Sequence, residues 1–295
     1  RSIQGLYAPG STFKMVVAIA ALKYGIINTK FKNLCTGKIE FGDRPYHCWK
    51  TNGHGEMDIF GAIKESCDVF FYEIAKKLGI DRIAEVANDF GLGKKFQISL
   101  QNQKSGIIPT KKWKKSKIGE SWYAGETLIA GIGQGFVLTN PLQLAVMTSI
   151  IAADGKTIKP TIIKNMKIVF PENNKYLEEI KIIKKAMFQV VNENKGTAYS
   201  SRLDDIKFSG KTGTSQVRRI SISERESEDF RKKELEWKKR DHALFVGYSP
   251  VDDPKYSISV IIEHGGSGAS TAAPIAKQIF NYINGLKIWF LIKLK

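Results

Sequence analysis

Cysteine, histidine and proline are scarce in this chain of 295 residues, which contains three cysteines, four histidines and nine prolines. An odd number of cysteines excludes a framework in which every cysteine is paired in a disulfide. Long apolar runs are also missing. No run approaches the ~20 residues that cross a bilayer, and the apolar stretch at residues 288–292 is far too short. The chain begins with Arg1 rather than methionine, so we expect it to be part of a longer protein.

Acidic residues are outnumbered, with 29 Asp and Glu against 46 Lys and Arg, giving a formal net charge of +17. The basic segment 111–117, with Trp113 between lysines, has a pattern found in nucleic-acid-binding proteins. Lysines are nevertheless spread along the whole chain, and no nucleic-acid-binding motif occurs. We therefore expect no nucleic-acid partner, and the charge favours proximity to an anionic membrane surface or an anionic polymer.

A serine and a lysine stand three residues apart in the segment APGSTFK at residues 8–14. The Pro-Gly pair breaks the preceding chain, and Ser11 is a preferred residue at a helix start. Residues 12–22 are apolar nearly all round, which predicts a buried helix that ends near Gly25. Residues at i and i+3 share a helix face, so the Lys14 amine is expected within reach of the Ser11 hydroxyl. A serine cap with a snorkelling lysine is the alternative.

Two further polar motifs interrupt apolar patterns. A helix predicted from near Asp58 stops before Ser66-Cys67-Asp68, and a second helix follows it as far as Gly79. The short polar side chains at this junction can point into a cleft. A strand is predicted over residues 206–217, and glycines at 210 and 213 leave its backbone open to a ligand. An ordinary edge strand is the alternative for this segment.

Periodicity and turn residues predict the other elements without any linker between two cores. Further helices are expected at residues 81–91, 140–151, roughly 175–192 and 271–283. Further strands are expected at residues 157–163, 167–170, 242–248 and 256–263. Irregular segments are expected at residues 28–55 and 92–125, with a charged excursion at 218–241 that interrupts the sheet.

Ser-x-x-Lys, Ser-x-Asp and Lys-Thr-Gly, in that order and widely separated, resemble the motif set of penicillin-binding proteins and serine β-lactamases over nearly the whole chain. Four phrases are similar to the elongation-specific transpeptidases of that family: YAPGSTFK at 7–14, GIGQG at 131–135, DHALF at 241–245 and HGGSG at 264–268. The resemblance implies an α/β fold of the α+β type, an antiparallel sheet flanked by helices with an all-helical subregion. It implies a transpeptidase domain at residues 1–285 and a tail at 286–295, with the N-terminal part, pedestal domain and membrane anchor missing.

The resemblance implies acyl transfer on a D-Ala-D-Ala stem peptide. Ser11 would attack the penultimate D-Ala carbonyl with Lys14 as general base, and Ser66 would relay a proton. Backbone N–H groups of Ser11 and Thr214 would form the oxyanion hole. An amine from a second peptide would then resolve the acyl-enzyme and form the cross-link, with D,D-carboxypeptidase activity as a possible side reaction. β-Lactams would acylate Ser11 instead.

Substrate binding is assigned by the same resemblance to the third motif. Lys211, with the hydroxyls of Thr212 and Thr214 and the small Gly213 between them, would hold the substrate carboxylate and add positive potential near the base. The second motif usually ends in asparagine and here ends in Asp68, as in the elongation-specific members. The sequence leaves open whether Asp68 is charged and whether it contacts the base or the substrate.

The implied setting is cell elongation and shape maintenance, with the catalytic domain in the periplasm and an anchor in the inner membrane. The implied partners are peptidoglycan stem peptides, β-lactams, a glycan-polymerising glycosyltransferase and scaffold proteins. A serine β-lactamase is one alternative, and Glu126 lies roughly where such an enzyme has its water-activating base, but nothing around it resembles that pattern. A non-catalytic β-lactam sensor is the other alternative.

The three cysteines, Cys35, Cys48 and Cys67, fall in one window together with His54. Three thiols and an imidazole form a complete tetrahedral set for structural zinc, although the spacings are wider than in zinc fingers. Some elongation-specific transpeptidases carry acidic, His and Cys ligands at similar positions, which favours zinc here, where it would position the second motif. His47 is a competing ligand. Buried free thiols, or one disulfide with a spare cysteine, are the alternatives. The chemistry itself needs no cofactor.

Overall fold

The computed structural model describes residues 1–164, 175–218 and 235–293. The helices in these ranges are α1 (Lys14–Lys23), α2 (Ile59–Lys64), α3 (Asp68–Leu78), α4 (Ile80–Asp89), α5 (Lys111–Ile118), α6 (Ala124–Gly131), α7 (Pro141–Ala152), α8 (Leu177–Asn192) and α9 (Ala273–Lys293). The strands in these ranges are β1 (Asn33–Cys35), β2 (Lys38–Phe41), β3 (Arg44–His47), β4 (Gly55–Met57), β5 (Ser209–Ser215), β6 (His242–Ser249) and β7 (Tyr256–Ile262).

The main sheet is antiparallel, with β5, β6 and β7 hydrogen-bonded in that order within the described residues. In its register Lys211 lies opposite Val246 and Thr214 lies opposite Ala243. Helix α8 packs against β5, α7 against β6 and β7, and α9 against β6. The predicted α+β architecture, a sheet flanked by helices with a separate helical region, is therefore confirmed.

Helix α1 lies at the centre of the helical region, where it packs against α3, α4 and α8. Every residue from Met15 to Ala21 is completely buried, as the apolar pattern all round the helix predicts. A helix enclosed on all sides has little freedom to shift, so Lys14 in its first turn is held in a fixed place.

The predicted interruption between two helices is confirmed at Ser66. Asp58 caps α2 by accepting a hydrogen bond of 2.8 Å from the Gly61 amide. The chain then turns at Ser66, whose φ of +58° is left-handed, and α3 begins at Asp68. The predicted start of α7 is also confirmed, because Asn140 and Gln143 form a reciprocal capping box around the proline at its first position.

The segment predicted as a loop at residues 92–125 contains α5 and the first residues of α6, so this prediction was wrong. Helix α5 is rich in lysine and lacks the apolar period of a typical amphipathic helix. It is stabilised by contacts that the pattern does not display. The Thr110 hydroxyl caps it by accepting a hydrogen bond of 2.9 Å from the Trp113 amide. Its Lys114 is buried and ion-paired with Glu126 at 2.6 Å.

Other boundaries also differ from prediction. Residues 28–55, expected to be irregular, contain short strands that pair as β1 with β4 and β2 with β3. The run 157–163 is not a strand, and the run 167–170 lies outside the described residues, as do residues 219–234 of the charged excursion. Helix α9 continues to Lys293 instead of ending near residue 283. No helix in the described ranges has both the length and the apolar character of a membrane span.

Candidate active site

The turn that carries Ser11 is pressed against strand β5. A short 3₁₀ segment, Gly10–Phe13, precedes α1. The Gly10 amide donates a hydrogen bond of 2.9 Å to the Gly133 carbonyl. A Cβ atom built on Gly10 would lie 2.4 Å from the Thr214 carbonyl oxygen, a distance that no real side chain tolerates. The first and third motifs therefore meet through backbone contact, and glycine is required at this approach.

Lys14 connects the first motif to the second. Its side chain is completely buried, and its ammonium nitrogen lies 2.7 Å from Asp68 Oδ1, 2.9 Å from the Ser66 carbonyl and 3.3 Å from Ser66 Oγ. The sequence placed this amine within reach of Ser11. In the described residues its hydrogen bonds go instead to Ser66 and Asp68, across the cleft from α1. Of the two contacts that the sequence left open for Asp68, the structure has the one with Lys14.

Cys48 and Trp49, in the cysteine-rich segment, form hydrogen bonds with the second motif. Asp68 Oδ2 accepts a hydrogen bond of 2.9 Å from the Trp49 amide, and the Asp68 amide donates to Cys48 Sγ at 3.3 Å. The Trp49 indole nitrogen lies 3.1 Å from the Ser66 carbonyl. The left-handed conformation of Ser66 is unfavourable for a non-glycine residue, so these contacts supply the restraint that it needs.

Lys211 supplies a second buried amine. Its side chain is completely buried, and its ammonium donates a hydrogen bond of 3.2 Å to the Thr212 carbonyl. Burial, followed by the charge of Lys14, holds the pKa of Lys211 well below its ordinary value of 10.5, while Asp68 opposes the shift. Two lysines and one carboxylate leave the cleft short of negative charge, which suits an anionic group on a substrate.

The neighbours of Lys211 are also fixed. Thr212 Oγ1 lies 2.7 Å from Thr197 Oγ1, and the Gln134 side chain donates to the Thr214 carbonyl at 2.9 Å. A Cβ atom on Gly213 would lie 2.9 Å from the Thr12 methyl carbon, so this position has to remain small. The structure thus brings all the predicted catalytic and substrate-binding residues to one cleft between α1, the start of α3 and β5.

The predicted metal-ligand residues also converge. The ligand atoms of Cys35, Cys48, His54 and Cys67 all lie within 4.8 Å of one another. His54 Nδ1 is 3.5 Å from both Cys35 Sγ and Cys48 Sγ. His47, the competing ligand, lies on β3 and does not belong to this group. All three cysteines are free thiols, which is inconsistent with a disulfide between two of them.

The donor set of this cluster fits a thiophilic divalent metal. Hydrogen bonds from Cys67 and His54 lower the pKa of the Cys48 thiol to about 2, although burial opposes the shift. The hydrogen bond to Cys48 and burial raise the pKa of Cys67, and burial raises that of Cys35. Zn–S bonds of ~2.3 Å place tetrahedral ligands roughly 3.8 Å apart, which the cluster accommodates after small shifts. Without a metal, only one of the three thiols is readily ionised.

Glu126, the residue considered for a hydrolytic base, is engaged elsewhere. One carboxylate oxygen pairs with Lys114 at 2.6 Å, and the other accepts a hydrogen bond of 2.8 Å from the Tyr123 amide at the start of α6. Both contacts are structural. The geometry therefore gives no support to Glu126 as a water-activating base.

Two residues at the site were not predicted to have a role there. Gln134 belongs to the GIGQG phrase, and no role was predicted for it. The sequence feature that could have indicated a role is its position in a glycine-rich turn. Trp49 gave no signal beyond its place next to Cys48, because its contacts with Glu65, Ser66 and Asp68 depend on tertiary structure.

Comparison with known proteins agrees with this geometry. The family model of the penicillin binding protein transpeptidase domain matches residues 1–281. The Haemophilus influenzae peptidoglycan D,D-transpeptidase MrdA is 34% identical over 296 residues, covering 96% of this chain and 45% of the relative. The chain thus spans about half the length of this curated relative.

Solved structures give the same result. The Helicobacter pylori penicillin-binding protein PBP2, in complex with MreC, has a TM-score of 0.86 and 31% identity, covering 97% of this chain and 51% of that one. Pseudomonas aeruginosa PBP2 in complex with WCK 5153 has a TM-score of 0.82 and 34% identity, covering 95% of this chain and 59% of that one. Motifs, fold and cleft geometry all agree with these matches, and the chain belongs to the penicillin-binding protein transpeptidase family.

Proposed function

We propose that the chain is a peptidoglycan D,D-transpeptidase that cross-links stem peptides through an acyl-enzyme on Ser11. The observation that carries the proposal is the buried pairing of Lys14 with Ser66 and Asp68, directly behind a serine turn that packs on β5. A nucleophile, an amine and a second hydroxyl close together are the groups that acyl transfer of this kind requires. The similarity to MrdA and PBP2 supports the substrate class.

The first step breaks the terminal peptide bond of the donor stem peptide. Ser11 Oγ bonds to the penultimate D-Ala carbonyl carbon, and its proton passes to Lys14 in the unprotonated state of that amine. Ser66, with Oγ 3.3 Å from Lys14 Nζ, passes its proton to the departing D-Ala nitrogen and receives the Ser11 proton from Lys14, which becomes neutral again for the second step. Backbone amides of Ser11 and Thr214 stabilise the oxyanion, where one donor is typically worth ~3 kcal/mol.

The second step restores the enzyme. An amine of a neighbouring stem peptide attacks the acyl ester, loses a proton to the base, and leaves Ser11 as a free hydroxyl with the cross-link formed. Water in place of the amine gives the D,D-carboxypeptidase side reaction. During the first step, Lys211 and the Thr212 and Thr214 hydroxyls hold the carboxylate of the terminal D-Ala until that residue departs, and the negative charge of the carboxylate favours the protonated form of Lys211.

The direct test is the intact mass of the chain after incubation with excess penicillin. We expect a single stable adduct, mapped by proteolysis to the peptide that contains Ser11, together with release of D-Ala from a D-Ala-D-Ala stem peptide. Penicillin consumed without an adduct would indicate a β-lactamase and contradict the proposal. A stable adduct without D-Ala release or cross-linked product would indicate a sensor.

We propose the cellular setting from the same relatives. The H. pylori structure is a complex with MreC, which supports a scaffold protein of this kind, with a glycan-polymerising glycosyltransferase, as partners during elongation. The catalytic domain would lie in the periplasm at the inner membrane. The net charge of +17 suits the anionic surroundings of both membrane and cell wall.

We further propose that Cys35, Cys48, His54 and Cys67 hold a structural zinc ion. The metal would bind the thiolates and His54 Nδ1 and act only as a cross-link, with no part in the chemistry. The cross-link would attach the β1–β4 segment to Cys67, between Ser66 and Asp68 of the second motif. The support for this proposal is the convergence of four suitable ligand atoms within 4.8 Å.

Removal of the metal is expected to destabilise the chain. We expect about one zinc per chain by elemental analysis, and chelation should lower Tm by roughly 6–12 °C, equivalent to ~3 kcal/mol for a domain of this size. Cys35→Ser should reduce the metal content, whereas His47→Gln, next to a ligand and outside the cluster, should retain it. Zinc-free protein with unchanged Tm on chelation would contradict the proposal.

A further inference from the structure

Trp49 contacts the second motif with both of its N–H groups. Its backbone amide donates to Asp68 Oδ2 at 2.9 Å. Its indole N–H is shared between the Glu65 carbonyl at 3.0 Å and the Ser66 carbonyl at 3.1 Å. The residue is nevertheless 53% exposed. A tryptophan that remains at the surface while both donors point inward contributes through its hydrogen bonds more than through buried area.

The acceptors of the indole are groups that need a partner. Glu65 ends α2, and the last carbonyls of a helix have no donor inside it. Ser66 follows with φ +58°, a left-handed conformation that is unfavourable for a residue with a Cβ atom. The indole therefore restrains the chain at the point where it leaves the helix and enters the left-handed turn.

The Ser66 carbonyl is shared between Trp49 and Lys14. Lys14 Nζ donates to it at 2.9 Å and lies 3.3 Å from Ser66 Oγ. Rotation of the Ser66 peptide would move this carbonyl away from Lys14 and would redirect the hydroxyl as well. The indole donor opposes that rotation from the outer side, while the Trp49 amide holds the carboxylate that pairs with Lys14.

We propose that Trp49 is a positioning residue for acyl transfer, whose indole N–H fixes the Ser66 peptide and thereby the distance between Ser66 Oγ and Lys14 Nζ. This inference rests on the proposed function and adds a residue to its machinery. The hydrogen bonds of Trp49 described above go to Glu65, Ser66 and Asp68. Its effect passes through Ser66 and Asp68.

The test distinguishes the effect of the indole N–H donor on acylation from the effect of the aromatic ring. Trp49→Phe removes the donor and keeps the backbone amide, and replacement of Trp49 by benzothienylalanine keeps the indole shape and lacks only the N–H. The matched control is Trp237→Phe, because Trp237 is 55% exposed and its ring contacts His264 with centroids 4.5 Å apart, as the Trp49 ring contacts His54 with centroids 5.3 Å apart. All variants are made in the full chain.

Both Trp49 variants are expected to acylate with fluorescent penicillin about tenfold more slowly, the loss expected for one hydrogen bond that acts in the transition state. The dissociation constant of the complex before acylation and the zinc content should be unchanged, the Tm should fall by no more than about 2–4 °C, as expected for one lost hydrogen bond, and Trp237→Phe should react like the wild type. A benzothienylalanine variant that acylates at the wild-type rate would overturn the proposal. A loss that only follows reduced folded fraction or zinc content would overturn it as well.

A separate measurement distinguishes this proposal from the proposed function. The indole N–H of Trp49 should exchange with solvent deuterium several-fold more slowly than that of Trp237, since only the former donates to Glu65 and Ser66. Equal exchange rates would overturn the positioning role even in a reactive enzyme. Absence of any penicillin adduct on the wild type, with slow exchange at Trp49, would count against the transpeptidase function and leave the restraint on Ser66 established.

Discussion

Replacing Lys14 with methionine is expected to slow acylation of Ser11 by on the order of 10³-fold, within the range for loss of a positioned general base. Methionine fills the buried volume with an unbranched apolar chain and cannot accept the serine proton. It also removes the hydrogen bonds to Ser66, so the proton relay to the leaving amine is interrupted. The rate of labelling by fluorescent penicillin, measured under single-turnover conditions, reports this loss directly.

Lys14→Met is also expected to lower the free energy of unfolding, and this loss of stability has to be distinguished from the loss of acylation rate. Lys14→Met leaves the Asp68 carboxylate, with a side chain only 13% exposed, without its cationic partner. Breaking a buried pair by removing one member typically costs ~3–5 kcal/mol. The double variant Lys14→Met with Asp68→Asn removes the unpaired charge and should recover much of the stability to denaturant, but not the acylation rate.

The outcome also tests which amine is the base. Wild-type labelling by Lys14→Met would contradict Lys14 as the proton acceptor. Lys211 would then be the candidate, because burial and the neighbouring charge hold its pKa well below 10.5 and so favour the neutral amine. Recovery of the rate in the double variant would show that the defect of Lys14→Met came from the unpaired carboxylate alone.

The local features of the site could be predicted because they depend on neighbouring residues. The Pro-Gly break before Ser11, the polar interruption at Ser66 and the glycine-flanked strand at Lys211 are all visible as departures from an apolar period. That these three segments share one cleft was inferred from the resemblance to a family. The partner of Lys14 could not be predicted from helix geometry, because Asp68 is 54 residues away and competes successfully for its ammonium group.

The elements and contacts that were not predicted all depend on contacts between residues far apart in the sequence. Helix α5 has lysines where an amphipathic helix has apolar residues, and its buried Lys114 is neutralised by ion pairs with Glu120 and with Glu126 of α6. The short strands β1 and β4 contain Cys35, one of the proposed metal ligands, and lie next to His54, and they are too brief to display an alternating pattern. Trp49 has no local signal, since its acceptors lie at the α2–α3 junction.

Gly10→Ala is expected to slow acylation by about 10²-fold, because a displacement of ~1 Å at a reacting group can have an effect of that size. The new Cβ atom would lie 2.4 Å from the Thr214 carbonyl oxygen and 3.2 Å from the Thr214 nitrogen, both backbone atoms that cannot rotate away. The serine turn must therefore move off β5. This movement separates Ser11 from the Thr214 amide, the other proposed donor to the oxyanion. Single-turnover penicillin labelling measures the loss.

The chain contains a matched control for the backbone strain in this variant. Gly25, at the end of α1, has φ +64°, close to the +52° of Gly10, but nothing lies within 4 Å of the position that a Cβ atom would take there. Gly25→Ala should therefore lose ~1 kcal/mol of stability from left-handed strain and keep its acylation rate. The difference between the two variants isolates the contact between the serine turn and β5. Equal acylation rates would mean that this contact is not needed for the nucleophile to react, and that the oxyanion is stabilised elsewhere.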